Sequence, residues 1–249
     1  MTHHTDTPDS PSVVLVHGAF ADSSSWNGVI ERLTARGIRV TAVANPLRGL
    51  MSDSAYLADI LEQIPGPVVL VGHSYGGGVI SNAAHAATNV VALVFVAAFA
   101  PDEGERLGEV SATSTDSILM SALAPQTYPL ASGERGTEFV VDAARFHATF
   151  AADFPPEQAA VMAVTQRPVA ESAFSDRSGA PAWKRLPSWA VIATADKAAG
   201  TDIVRTMARR AGATITELDG SHVIMVSQPH AVAEVIATAV EATAAAAVA

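Results

Sequence analysis

Short runs of aliphatic and β-branched residues alternate along the chain with stretches whose apolar positions recur at helical spacing. Val13 to Val16 is the first such run. After it, Ser24 or Ser25 can cap a helix that carries Trp26, Val29, Ile30 and Leu33 on one face and ends near Gly37. A second strand is expected at Arg39 to Ala44, followed by a helix capped by Asp53 with Leu57, Ile60, Leu61 and Ile64 in register, stopped by Pro65-Gly66-Pro67. Val68 to Val71 and Val90 to Ala97 are apolar throughout, as strands buried on both faces must be, and Tyr75 to Ala87 between them reads as a helix. Ser188 to Thr194 and Ala213 to Leu218 supply two more strands around a helix from about Asp202 to Ala211, and Pro229 opens a final helix with Val232, Val235, Ile236, Ala239 and Val240 on one stripe. Six strands alternating with helices predict an α/β fold with a mostly parallel sheet and crossover helices.

Pro101 to Pro187 breaks this rhythm, holding most of the prolines and phenylalanines without clear alternation. It reads as an insertion, residues 101–187, that caps a core made of residues 13–100 and 188–249. Its aromatics, Phe139, Phe146, Phe150 and Phe174 among them, form either the roof of an apolar pocket or a small core of their own. Residues 1–12 are polar and acidic, a loose tail without the pattern of a secretory leader. The alanine-rich end, Ala242 to Ala249, reads as a fraying helix.

Composition narrows the chemistry. With 249 residues, 49% of them hydrophobic, the chain can bury a large core as one domain. The longest apolar run, Val90 to Ala100, has 11 residues, short of the ~20 a membrane helix needs, so a cytoplasmic protein without membrane contact is expected. A net charge of −10, from 25 acidic and 15 basic residues, argues against nucleic acid as a partner. The absence of cysteine excludes thiolate catalysis and cysteine-ligated metal, leaving oxygen or nitrogen nucleophiles. No cofactor or metal is called for, and oligomeric state is not legible.

Gly72-His73-Ser74-Tyr75-Gly76 fits the Gly-x-Ser-x-Gly pattern and lies directly between a predicted strand and a predicted helix. A serine on so sharp a turn needs neighbours without side chains, which Gly72 and Gly76 are. Its hydroxyl is a weak nucleophile and needs a base; on such a turn the chain order of the partners is serine, acid, histidine. Of eight histidines, His222 follows the last strand in Asp219-Gly220-Ser221-His222, at the sheet edge that carries Ser74. Asp196, two residues past the fifth core strand, is the expected orienting acid, with Asp102 as its rival and Asp219 too close to His222 to serve. The oxyanion formed on attack needs two donors, for which the backbone N–H groups of Ala19 and Tyr75 are the candidates.

The segments Leu15-Val16-His17-Gly18-Ala19, Val71 to Gly77, Ala97 to Asp102, Thr194-Ala195-Asp196-Lys197 and Ser221-His222-Val223 together resemble the compact α/β-hydrolases that include plant methyl-salicylate and methyl-jasmonate esterases and hydroxynitrile lyases. The resemblance implies an α/β-hydrolase fold with a six-stranded sheet and a cap, places Asp102 in a structural segment, and assigns Asp196 to the triad. The lyases carry Thr in place of Gly in the His-Gly turn and Lys after the catalytic histidine; here those positions are Gly18 and Val223, which favours esterase chemistry. The expected activity is hydrolysis of small uncharged carboxylic esters through an acyl-enzyme, with a small-molecule ester as partner. The alternatives are lyase-type carbon–carbon cleavage and a non-catalytic small-molecule receptor on the same scaffold.

Overall fold

The computed structural model describes residues 10–248. Six parallel strands form the central sheet: β1 (Ser12–Val16), β2 (Val40–Val43), β3 (Val68–His73), β4 (Val90–Val96), β8 (Ser188–Ala193) and β9 (Thr214–Leu218), in the order β2-β1-β3-β4-β8-β9. The fold is therefore the expected α/β-hydrolase sheet. Every residue of β1 and β3 is buried, which is why these strands read as unbroken apolar runs, whereas the edge strands β2 and β9 are only partly covered.

Helices close both faces. Asn27–Ala35 and the long helix Pro229–Val248 bury Val29, Leu33, Val232 and Ile236 against one face. Leu50–Glu62, Tyr75–Ala86 and Thr201–Arg210 bury Leu57, Leu61, Val79, Ile80, Val204 and Met207 against the other. Among the described residues no helix is long and apolar enough to cross a membrane. Residues 1–9 of the expected tail lie outside the described residues, and Ser12, placed in that tail by the sequence reading, already belongs to β1 and is buried.

Two helix starts differ from expectation. The turn after β1 opens as a short 3-10 helix, Ser23–Trp26, capped by Asp22, whose carboxylate accepts the Ser24 N–H at 2.7 Å; neither Ser24 nor Ser25 is the cap. The next helix begins at Leu50, so Asp53 lies inside its first turn, buried, and does not cap it. Asp53 is drawn inward because the Tyr75 hydroxyl donates to it at 2.7 Å and the Arg48 N–H at 3.1 Å.

Between β4 and β8 the chain forms what its sequence did not announce, a three-stranded antiparallel sheet of β5 (Leu123–Pro129), β6 (Arg135–Val141) and β7 (Val169–Ala170), with the helices Ala143–Phe150 and Pro156–Thr165 inserted before β7. Pro125 and Pro129 argue against a strand, yet β5 is an edge strand paired only with β6, where missing N–H groups are tolerated.

The sheet's carboxyl edge, where open α/β sheets bind ligands, is shaped by close backbone packing. A Cβ built on Gly72 would lie 2.5 Å from the Gly76 carbonyl oxygen, so the last turn of β3 and the first turn of the following helix touch through backbone alone. Gly72→Ala is expected to cost about 2 kcal/mol or more of stability by overpacking. The measurement is the urea midpoint against wild type, and an unchanged midpoint contradicts this account of the turn.

Candidate active site

Ser74 stands between β3 and the helix Tyr75–Ala86 with φ 51° and ψ −122°, a backbone conformation that side-chain-bearing residues rarely adopt. Three backbone hydrogen bonds hold it there. Its N–H donates to Val96 O at 3.2 Å, and its carbonyl accepts from Gly77 N at 3.0 Å and Phe99 N at 3.1 Å. The positive end of the helix dipole lies at its side. The turn after β1 closes on it from the other side, where a Cβ on Gly18 would come within 2.8 Å of Ser74 Cβ.

Asp196 and His222 meet on the neighbouring loops. The β8 loop is tied to the β9 loop by Thr194 N–H to Leu218 O (2.9 Å) and Ala195 N–H to Gly220 O (3.0 Å). The Asp196 carboxylate is fully buried and saturated with donors: Ala198 N–H at 2.9 Å and Ala199 N–H at 3.0 Å on one oxygen, His222 Nδ1–H at 2.8 Å on the other. A proton on Nδ1 leaves Nε2 as the basic lone pair of a neutral ring. That Nε2 is covered and has no hydrogen-bond partner among the described residues, so the Ser74 hydroxyl and His222 are not in hydrogen-bond contact in this state. Such contacts are commonly loose before substrate arrives. Ser74 itself is 7% exposed.

His73 is the residue behind this pair. Its Nε2–H donates to the His222 carbonyl at 3.0 Å and its ring lies 4.6 Å from the His222 ring. Burial, followed by the nearby His222, holds its pKa well below the usual histidine value, so it stays neutral. Ser221, just before His222, donates to Asp153 and, at 3.0 Å, to Phe150 O, fastening the loop to the segment above the sheet.

A second histidine shapes the turn after β1. His17 is buried; its Nδ1–H donates to Gly18 O at 2.9 Å, and its Nε2 accepts the Asn45 N–H at 3.0 Å, while the Asn45 amide donates back to His17 O at 3.1 Å. Arg167 reaches down to Asn45 O at 3.1 Å. Desolvation above all, with the Arg167 charge adding to it, pushes the His17 pKa down to about 4 against the pull of the Gly18 carbonyl. The turn delivers Ala19, and no hydrogen bond among the described residues uses the backbone N–H of Ala19 or of Tyr75. The Tyr75 side chain is pinned by its hydrogen bond to Asp53, and burial raises the pKa of both groups, well above the usual value for Tyr75.

All five residues expected from the sequence thus gather at one edge of the sheet. The rival residues are engaged with other partners. Asp102 pairs with Lys184 Nζ at 2.5 Å, and Asp219 accepts from Thr194 Oγ1 at 3.2 Å. His147 is taken up by the Phe154 carbonyl at 2.9 Å; His3 and His4 lie outside the described residues. His17, Asn45 and His73 were not singled out from sequence as site residues, and Asp53 was expected only as a helix cap. Only His17 and His73 carried a signal, each flanking one of the two glycine turns. Among the described residues no cluster of histidine and carboxylate side chains is arranged for a metal.

A family model described as the alpha/beta hydrolase family matches residues 13–235. No curated protein matches the chain. Among solved structures, polyneuridine aldehyde esterase is 20% identical with a TM-score of 0.76, over 93% of this chain and 99% of that one. A pyrethroid hydrolase from Sphingobium faniae is 22% identical with a TM-score of 0.74, over 93% and 98%. An extracellular alpha/beta-hydrolase from a Paenibacillus species, described as homologous to a tobacco salicylic acid binding protein, is 20% identical with a TM-score of 0.74, over 92% and 98%. At these identities the likeness is one of fold.

Because His17 is neutral in the folded protein down to about pH 4 but titrates near 6.5 when exposed, the unfolded chain binds the extra proton between those values. Stability is expected to be complete above pH 6.5, to fall as pH drops toward 4, and to lose no more from this residue below that. In His17→Gln the slope of unfolding free energy against pH should be shallower by about one proton in that window; urea titrations at several pH values check it, and equal slopes refute it.

Proposed function

The chain belongs to the alpha/beta hydrolase family, and from that premise we propose that it is a serine hydrolase of small uncharged carboxylic esters. The observation that carries the reading is the buried Asp196–His222 pair, whose proton sits on Nδ1 and whose Nε2 is unengaged, beside a serine held in a left-handed turn. Residues 101–187 act as the cap over that edge.

In this reading Ser74 Oγ attacks the ester carbonyl carbon and gives its proton to His222 Nε2. The imidazolium that forms is stabilised by the Asp196 carboxylate, whose three N–H donors keep it oriented. The negative carbonyl oxygen of the tetrahedral intermediate is received by the N–H groups of Ala19 and Tyr75. Collapse expels the alkoxide, which takes the proton from His222 Nε2, and leaves an acyl ester on Ser74. Water, deprotonated by His222, then attacks the acyl carbon, and Ser74 departs as the protonated hydroxyl with release of the acid. His17 and His73 stay neutral throughout, so the imidazolium meets no second cationic imidazole.

The lyase alternative is disfavoured by two positions. Val223, buried directly after His222, supplies no cation for a departing anion, and a side chain at Gly18 would collide with Ser74.

With p-nitrophenyl acetate, Ser74→Ala and His222→Ala are each expected to lose at least about a thousandfold in kcat, since members of such a unit fail together. Asp196→Asn should fall by a similar order through the wrong tautomer. Ala19→Pro, which removes one oxyanion donor, should lose about a hundredfold while the protein still unfolds cooperatively. Equal rates for wild type and Ser74→Ala refute the assignment.

A further inference from the structure

An unbroken chain of aromatic rings runs from the candidate base into the cap. The Phe150 ring stands edge-on to the His222 imidazole with centroids 4.9 Å apart, and Phe20 meets Phe150 at 5.6 Å, also edge-on. Phe20 stacks on Phe174 at 6.5 Å and 26°, and Phe174 contacts Phe139 at 6.5 Å. Phe20 directly follows Ala19, is 3% exposed, and has a φ of 61°, a conformation that a bulky side chain adopts only when its surroundings impose it.

Two apolar cavities flank this chain. One, of about 170 Å³, is lined by Phe20, Phe146, Phe150 and Val223 with Asp22 and Ser24 among its polar residues, and adjoins His222 through Phe150 and His73, whose rings contact its imidazole. The other, of about 420 Å³, lies in the cap and is lined by Leu123, Phe139 and Phe174, with Arg106 and Glu171 among its polar residues. Phe20 lines the first and Phe174 the second, and the two rings stack on each other.

We propose that the Phe20–Phe174 stack is the partition that sets which acyl groups the site accepts. The inference rests on the ester-hydrolase reading above. The leaving oxygen must take its proton from His222 Nε2, so the alcohol part lies on the His222 side, in the aromatic cavity formed by Phe20, Phe146 and Phe150. The acyl group then points away from His222 and meets the Phe20–Phe174 stack, beyond which the larger cavity begins. Short acyl groups end before the partition. Longer ones need the second cavity, and the closed stack denies it to them. The substrate class is therefore esters of short acyl groups with an apolar, preferably aromatic, alcohol.

The test is the ratio of kcat/KM for p-nitrophenyl octanoate to that for p-nitrophenyl acetate in wild type, Phe174→Ala, Phe174→Leu and Phe139→Ala. Phe139 lines the second cavity without belonging to the partition. Wild type should prefer acetate. Phe174→Ala should raise the ratio about tenfold or more, because each methylene admitted to an apolar pocket contributes strongly to selection. Phe174→Leu should give a smaller rise and serves if the alanine variant does not fold. Phe139→Ala should leave the ratio within about twofold of wild type. Ser74-dependent hydrolysis with a ratio unmoved in both Phe174 variants, or moved equally by Phe139→Ala, overturns the partition and leaves the hydrolase reading standing. Absence of Ser74-dependent hydrolysis of either ester overturns that reading and the partition with it.

Discussion

The arrangement at the sheet edge depends on one steric constraint: backbone must touch backbone around Ser74. A left-handed serine between a strand and a helix brings the end of β3 against the first turn of its own helix, and Gly72 meets Gly76 with no room for a methyl group. The same closeness recurs between Gly18 and Ser74, which sets the turn after β1 beside the serine's flank. The position of Ala19 follows from that contact, and the position of Tyr75 follows from the turn itself. Both candidate donors are thus placed by packing of the main chain and not by flexible side chains, the rigidity that preorganised electrostatic stabilisation requires.

Around this constraint the polar groups are sorted by charge. His17 and His73 are buried among hydrogen bonds that a neutral ring satisfies, one donating from Nδ1 to Gly18 and the other from Nε2 to the His222 carbonyl. Desolvation keeps both uncharged. The carboxylate of Asp196 accepts from two backbone N–H groups as well as from His222, so fixed dipoles stabilise its charge before any proton moves. Asp53 serves the scaffold. It joins the loop before its helix to the Tyr75 side chain, so the segment from Asn45 to Gly49 and the nucleophile helix are set against each other by one carboxyl group.

The sheet was legible because its central strands are buried on both faces and therefore consist of nothing but apolar residues, as in Val68 to Val71 and Val90 to Val96. The candidate site was legible where chemistry forces a local pattern: glycines at fixed offsets from Ser74, and Asp196 and His222 each just past a strand. What escaped was of two kinds. Asn45 with His17, and Asp53 with Tyr75, are contacts between residues more than 20 positions apart, and a single polar residue in a loop or a first helical turn carries no mark of such a partner. The β5–β6 pair was hidden because an edge strand exposed on one side tolerates prolines and polar residues that a central strand would reject.

The segment between β4 and β8 is fastened to the core at several places, and two of them bear on the loops of the candidate site. Arg167, Ala170 and Ser172 hold the backbone of Asn45, Leu47 and Arg48, while Asp153 and the Phe150 carbonyl hold Ser221. One anchor governs the turn that carries Ala19 and the other the loop that carries His222. Movement of this segment as a unit would have to break these anchors and disturb the two loops they hold. In the proposed reading, entry of a small molecule would then depend on side chains turning within this segment, a faster kind of motion than a displacement of the segment as a unit.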